Sequence, residues 1–339
     1  MDDTKKTGRL KEKYFRIRDN LLWVLFWFLA VYIFVGGFFE AVFLSVLFGV
    51  FEDMPDSIYY IMDNYGYTII GCIVLFLYCW LIRQDRYIWK SFLLPKKKPA
   101  GPADGSADIQ DIRADYYGRS KNGFKALGIG LIIGFVTNFI CIVCALIHGD
   151  IFLYFESSAA QIPVMLFALL AVFIQASSEE LWCRGYLYER LNVRYPIWVA
   201  CLVNGVLFGV LHSFNEGASV LGIAEIAVCG VSYSLLRWYT GDLWTVMGMH
   251  TAWNYTQAFL FGLPNSGLVS EVSLFHLDAS TAAANLVYDP AFGVEGALPA
   301  FIMDLAIGVI VLILASRSGR LGELKLKRDE AIDVWRQKL

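Results

Sequence analysis

The chain has 339 residues, of which 57% are hydrophobic and only 17% are charged, and its formal net charge is −3. Because about a quarter of the residues in soluble proteins are charged, this composition excludes an ordinary soluble domain. A net charge this small gives no reason to expect a nucleic-acid partner, and we expect the lipid bilayer to be the chain's main environment.

Long, nearly uncharged segments recur along the chain and predict membrane-spanning helices. A helix needs about 20 apolar residues to cross hydrocarbon, and only a helix or a closed barrel satisfies its backbone hydrogen bonds there. The sequence therefore predicts an all-α, polytopic membrane helix bundle with about eight transmembrane helices. We place these spans at residues 21–40, 67–82, 126–147, 162–180, 196–213, 219–236, 243–263 and 297–316.

The positions of lysine and arginine assign the sides of this arrangement. All 28 Lys and Arg residues fall on one side of the eight spans, which predicts that this side and both termini are cytoplasmic. The connections without Lys or Arg are predicted to be exoplasmic. They are residues 51–66, 148–161, 214–218 and 264–296.

We predict one membrane domain, residues 21–316, between basic cytoplasmic tails at residues 1–20 and 317–339. Its cytoplasmic linker, residues 83–125, contains clustered Pro, Gly and Lys, which favour an extended or flexible segment. The exoplasmic loop, residues 264–296, is long for a connection inside a compact domain. Because it contains several apolar residues, we expect it to fold as a cap rather than to be disordered.

Ionisable residues in the fourth span are the strongest functional signal, because charge in hydrocarbon is costly. Glu180 and Arg184 are four residues apart, so they share a helix face and can form an ion pair. Glu179 points about 100° away around the helix and stays free for chemistry. The alternative interpretation is a surface salt bridge on a cytoplasmic extension of the helix.

Two later spans carry histidines. His212 lies in the fifth span, and His250 and Asn254 share one face of the seventh span. Each could instead be a structural residue that forms hydrogen bonds between helices. The histidines and Glu179 meet at one depth only if the fourth helix continues to about residue 191, and we predict that extension.

Three motifs occur in order over roughly residues 175–255: Glu-Glu-x-x-x-Arg, Phe-x-x-x-His and His-x-x-x-Asn. Together they resemble the signature of the CPBP intramembrane proteases. This family includes the CAAX prenyl endopeptidases and bacteriocin-processing and abortive-infection proteins. The resemblance implies that Glu179 is the general base that activates water and that Glu180, paired with Arg184, supports it.

The resemblance further implies that His212 helps to hold the water and that His250 and Asn254 stabilise the oxyanion. Family members are described both as metalloproteases and as metal-independent glutamate enzymes. A zinc-dependent enzyme would use Glu179, His212 and His250 as ligands. We favour catalysis without a cofactor, because the compact His-Glu-x-x-His motif is absent.

The predicted function is that of an intramembrane endopeptidase in the plasma membrane of a bacterium. It would hydrolyse a membrane peptide or protein substrate near the cytoplasmic half of the bilayer. The alternative is a non-catalytic membrane protein, either an immunity-type scaffold or a proton-coupled carrier. Such a carrier could use three further acids in or beside spans, Glu40, Glu225 and Asp304.

Overall fold

The computed structural model describes residues 20–82, 123–192, 195–319 and 321. The two basic tails, apart from their innermost residues, and nearly all of the predicted linker 83–125 lie outside the described residues. Within the described ranges the chain is predominantly helical, and the predicted all-α membrane architecture is confirmed.

The helices are numbered in chain order over the described part of the chain. They are α1 (Leu21–Val50), α2 (Asp56–Asn64), α3 (Gly66–Leu81), α4 (Gly123–His148), α5 (Ala159–Asn192), α6 (Ile197–His212), α7 (Val220–Thr240), α8 (Trp244–Tyr255) and α9 (Leu298–Arg317). A π-helical segment, Thr256–Leu260, continues α8. Helix α2 occupies part of the predicted connection 51–66, and α1 continues ten residues beyond the predicted end of the first span.

The number of helices that could cross a membrane is smaller than the sequence predicted. Among the described residues, α1, α4, α5, α7 and α9 are five helices that are long and apolar enough, and α2 with α3 makes a sixth if their 43° bend lies within one span. Helix α6 has only 16 residues. Helix α8 is enclosed by protein, since the ten residues 245–254 are all buried. The count of about eight spans is therefore not confirmed.

Helix α5 has the length that the catalytic hypothesis requires. It continues without interruption to Asn192, which confirms the predicted extension to about residue 191. Its last third contains a π-helical segment, Leu181–Leu187, directly after the two adjacent glutamates. Such segments are rare and occur frequently at functional sites.

Glycines bring α4 and α8 into close contact. A Cβ atom built on Gly130 would lie 2.0 Å from the carbonyl oxygen of Thr245, and one on Gly134 would lie 2.1 Å from that of Met249. Small residues allow this backbone approach, which replaces hydrophobic driving force in membrane helix packing. The contact fixes the depth and rotation of α8, the helix that carries His250 and Asn254.

The predicted exoplasmic loop is folded, as its apolar content indicated. Strand β2 (Phe275–Leu277) pairs antiparallel with β1 (Leu153–Phe155), which lies between α4 and α5. Tyr288 and Phe292 are fully buried, and they anchor the loop against the helices. The expectation of a folded cap is therefore confirmed.

We expect Gly134→Ala to destabilise the protein by about 1–3 kcal/mol, because the added methyl group would collide with the α8 backbone. Gly128→Ala is the matched control on the same helix, because a Cβ there meets nothing within 4 Å. The control should be neutral or slightly stabilising, since alanine favours helices. Thermal unfolding midpoints in detergent measure both effects, and equal midpoints would refute the close contact.

Candidate active site

Glu180 is the buried centre of the site. It is fully buried, and its Oε1 atom accepts a hydrogen bond from Arg184 NH1 at 3.0 Å. The Arg184 guanidinium is itself fully buried and lies over the ring of Phe208, 4.2 Å from its centroid, with the Tyr233 ring at 5.5 Å. The predicted pair on one face of α5 is therefore present, and it is buried rather than on the surface.

His250 joins this pair from α8. Its Nδ1 atom lies 2.9 Å from Glu180 Oε1. Because an ionised carboxylate only accepts hydrogen bonds, Nδ1 carries the proton in this contact, and Nε2 points away from Glu180. Nε2 lies 3.9 Å from Glu179 Oε2. Glu180 thus orients His250 so that its second nitrogen faces the neighbouring glutamate.

Glu179 has one oxygen held and one oxygen free. Gln175, one turn earlier on α5, donates from Nε2 to Glu179 Oε1 at 2.5 Å. The other oxygen, Oε2, has no hydrogen-bond partner among the described residues. This free oxygen is the one nearest to His250 Nε2. The site therefore presents a carboxylate oxygen and an imidazole nitrogen to the same small space.

Gln175 also links Glu179 to Asn254. Asn254 Nδ2 donates to Gln175 Oε1 at 3.2 Å, and Asn265 from the cap lies 3.5 Å from Asn254 Oδ1. Sequence reasoning missed Gln175, although its spacing of four residues from Glu179 was a usable signal. Its contact with α8 was not predictable from spacing, because it depends on tertiary packing.

His212 reaches the site from the end of α6. Among the described residues, its Nδ1 atom hydrogen-bonds to the Phe208 carbonyl at 2.8 Å rather than to Glu179 or His250. A carbonyl accepts, so this contact fixes the proton on Nδ1 and leaves Nε2 as an acceptor. The ring lies beside Phe208, with 4.5 Å between the centroids and an angle of 58° between the ring planes.

A cavity of about 400 Å³ unites these side chains, since Glu179, His212, His250 and Asn254 all line it. Glu180 and Arg184 lie behind this wall. The cavity also receives residues from the connections without Lys or Arg, among them Asp63, Glu216 and Ser266. The lining therefore includes the end of the bundle at which these connections without Lys or Arg lie, and the side of the membrane toward which the site opens stays a prediction.

The cap contributes a second buried acid, Glu295, which sequence reasoning also missed. Its Oε1 atom accepts from Trp253 Nε1 at 2.9 Å and from Asn265 Nδ2 at 2.8 Å, and its Oε2 atom accepts from the Ser266 backbone and hydroxyl. Burial raises the pKa of Glu295, whereas its hydrogen bonds with Ser266 and Trp253 oppose that rise. Glu295 thus ties the cap to α8 beside Asn254.

The three further acids named from the sequence occupy two kinds of position. Glu40 and Glu225 line the cavity. Asp304 is buried behind it on α9, where its backbone oxygen accepts from Ser232 Oγ at 2.7 Å. These acids therefore belong to the surroundings of one site rather than to a separate path across the bundle.

The side chains do not form a three-ligand metal site. Among the described residues, no group of three or more His, Cys, Asp or Glu side chains is placed to hold a metal ion. Glu179, His212 and His250 share the cavity, and Glu179 Oε2 and His250 Nε2 approach each other to 3.9 Å. The zinc ligand set considered from the sequence is thus not assembled in this arrangement.

Comparisons with known proteins agree with the motifs. Residues 161–256 match the family described as type II CAAX prenyl endopeptidase Rce1-like, which confirms the resemblance over this segment. The uncharacterized protein YyaK of Bacillus subtilis (strain 168) is 30% identical over 185 residues, which are 50% of this chain and 61% of that relative. This chain therefore spans less than two thirds of the relative's length. No solved structure matches the chain significantly.

Proposed function

We propose that this chain, in which residues 161–256 form a domain similar to the type II CAAX prenyl endopeptidases, is an intramembrane endopeptidase. The carrying observation is the approach of Glu179 Oε2 to His250 Nε2 at 3.9 Å, at the wall of an internal cavity. The Bacillus relative supports a bacterial plasma membrane as the location. A peptide or protein of that membrane would be the substrate.

A single water molecule fits between the two groups. A separation of 3.9 Å is too long for a direct hydrogen bond, but a water can bond to both at about 2.8 Å. Glu179 Oε2 would take a proton from this water as it attacks the peptide carbonyl, and would return that proton to the leaving amine. His212, with Nε2 as an acceptor, would hold the water from the other side of the cavity.

Hydrogen-bond donors are available for the oxyanion that forms on the carbonyl. Asn254 has two N–H bonds, and one of them is used by Gln175. The second N–H would donate to the oxyanion, and so would the Nε2–H of a His250 ring that is already protonated when the substrate binds, so that it takes no proton from the attacking water. Glu180 would stabilise that imidazolium through its contact with Nδ1, so the buried pair with Arg184 supports catalysis without touching substrate.

Replacement of the base or of the water-holding histidine tests this function. Glu179→Ala and His212→Ala are expected to abolish cleavage while the protein still folds, because neither side chain belongs to the buried Glu180–Arg184 pair. The membrane peptidome of cells that carry each variant would be compared with that of wild-type cells. Glu271→Ala and His148→Ala are matched controls outside the cavity lining, and each should keep the wild-type peptidome.

If both cavity variants process the same membrane peptides as the wild type, the assignment is wrong. Folding is checked independently by size-exclusion chromatography in detergent. A folded variant without cleavage products is the expected result, whereas an aggregated variant would be replaced by the milder Glu179→Gln.

Gln175 is proposed as a positioning residue. Gln175→Met keeps the side-chain volume but removes the donor to Glu179 and the acceptor for Asn254. We expect kcat on a peptide identified by the peptidome comparison to fall about tenfold or more, with little change in KM, because the base loses its orientation but the cavity remains. An unchanged kcat, or a rise in KM alone, would contradict this role.

Chelation distinguishes metal-independent catalysis by Glu179 from zinc-dependent catalysis. Because Glu179 itself would activate the water, exhaustive chelation is expected to leave cleavage unchanged. Residual metal would be measured by mass spectrometry, and a known zinc protease treated in parallel would show that the chelator works. Loss of activity that is restored by added zinc would instead assign Glu179, His212 and His250 as ligands.

A further inference from the structure

The two ends of the helix bundle differ in charge. Arg237, near the end of α7, pairs with Glu189 near the end of α5 at 2.6 Å, and the start of α4 lies against the Trp244 ring at the start of α8. One end of the bundle therefore carries four of the five Lys and Arg residues of the described part of the chain, Lys125, Arg190, Arg237 and Arg317, whereas Arg184 lies in the buried pair with Glu180. From the positive-inside pattern we expect this to be the cytoplasmic end.

The opposite end is built from connections without Lys or Arg. Asn215, after α6, donates to the Ser266 carbonyl of the cap at 3.1 Å. Gly217 lies against Ala291, and Asp150, after α4, accepts from Asn285 of the cap at 2.5 Å. The cap thus covers this end and holds the connections together.

The cavity reaches the surface at the end without Lys or Arg. Of its lining residues, Asp63 and Glu216 are the exposed ones; Asp63 lies in the last turn of α2, and Glu216 follows α6. Toward the cytoplasmic end, the segments Leu181–Leu187 and Tyr188–Asn192 are buried throughout. The packing therefore closes the cavity on the basic side and leaves its opening beside Asp63 and Glu216.

Acidic residues line the cavity both at its opening and in its interior, and none of its described lining residues is Lys or Arg. The acids are Glu40, Asp63, Glu179, Glu216, Glu225 and Glu295. At the opening, the exposed side chains of Asp63 and Glu216 place two formal negative charges with no Lys or Arg among the described lining residues, and charges of one sign concentrate ions of the opposite sign. Anionic segments would be repelled at the opening, and a cationic side chain would be attracted.

We infer that the cavity receives a peptide segment carrying a Lys or Arg side chain, and that this segment enters from the end of the bundle opposite to the basic one. The inference rests on the proposed peptidase site and specifies its substrate class and its direction of access. Asp63 and Glu216 would meet the cation at the opening, before the peptide bond reaches Glu179.

Binding to an inactive variant tests the charge preference without requiring catalysis. The probes are two fluorescent apolar peptides that differ at one central residue, Lys or Gln, and the protein is full-length Glu179→Ala in nanodiscs. We expect the Lys peptide to bind about three- to tenfold more tightly, with an advantage that shrinks as salt rises. Asp63→Asn with Glu216→Gln should remove most of that advantage.

The matched control also removes two negative charges from the end of the bundle without Lys or Arg. Glu156→Gln with Glu271→Gln neutralises two exposed acids that do not line the cavity, and it should keep the preference for the Lys peptide. Equal affinity for both peptides, no binding of either peptide, or an equal loss in the control would overturn the inference. Because the protein in this assay is inactive, these outcomes are distinguishable from a failure of the proposed proteolysis.

Cysteine labelling tests the direction of access. In intact cells, a membrane-impermeant maleimide should label Glu216→Cys, and the Lys peptide should protect that cysteine. Ser318→Cys, after the last helix at the basic end, should react only after the cells are lysed. The wild-type protein measures the background from its own cysteines, which are buried or half-buried. The reverse pattern would overturn the inferred direction.

Discussion

The contact of Glu180 with Arg184 and His250 is the interaction on which the rest of the site depends. Through it, four helices meet: α5 supplies the ion pair, α8 supplies His250, and Phe208 and Tyr233 from α6 and α7 cover the guanidinium. Loss of one partner from a buried ion pair costs about 3–5 kcal/mol, because the other charge stays buried. The arrangement fixes the imidazole, while among the described residues one oxygen of the adjacent Glu179 carboxylate has no hydrogen-bond partner.

Helical spacing was sufficient to predict part of this arrangement. A spacing of four residues placed Glu180 and Arg184 together, and a spacing of one residue turned Glu179 to another face. The requirement that residues on different helices meet predicted the continuation of α5. The bond from His250 to Glu180 was not predictable, because it depends on the rotation of α8, which glycine contacts with α4 determine.

The residues that sequence reasoning missed share a physical cause. Gln175 and Glu295 are recognisable only from contacts between elements that are distant in the chain, 79 residues apart for Gln175 and Asn254. Loop residues such as Glu295 have no periodicity that assigns them to a face. The span count is not confirmed for a different reason, because an apolar run indicates burial whether lipid or protein surrounds it. Helix α8 is enclosed by protein, so its apolar residues are not evidence that it contacts lipid or crosses the membrane.

Hydrolysis inside a bilayer requires water at a place that excludes it, and the lining of the cavity meets this requirement. Polar and acidic side chains extend from Asp63 and Glu216 at the surface to Glu179 in the interior. Buried water is retained only where two to four polar partners are available, and this lining supplies them. If the proposed charge preference holds, the exposed acids Asp63 and Glu216 that admit water would also disfavour anionic segments. Water supply and substrate charge would then depend on one set of residues.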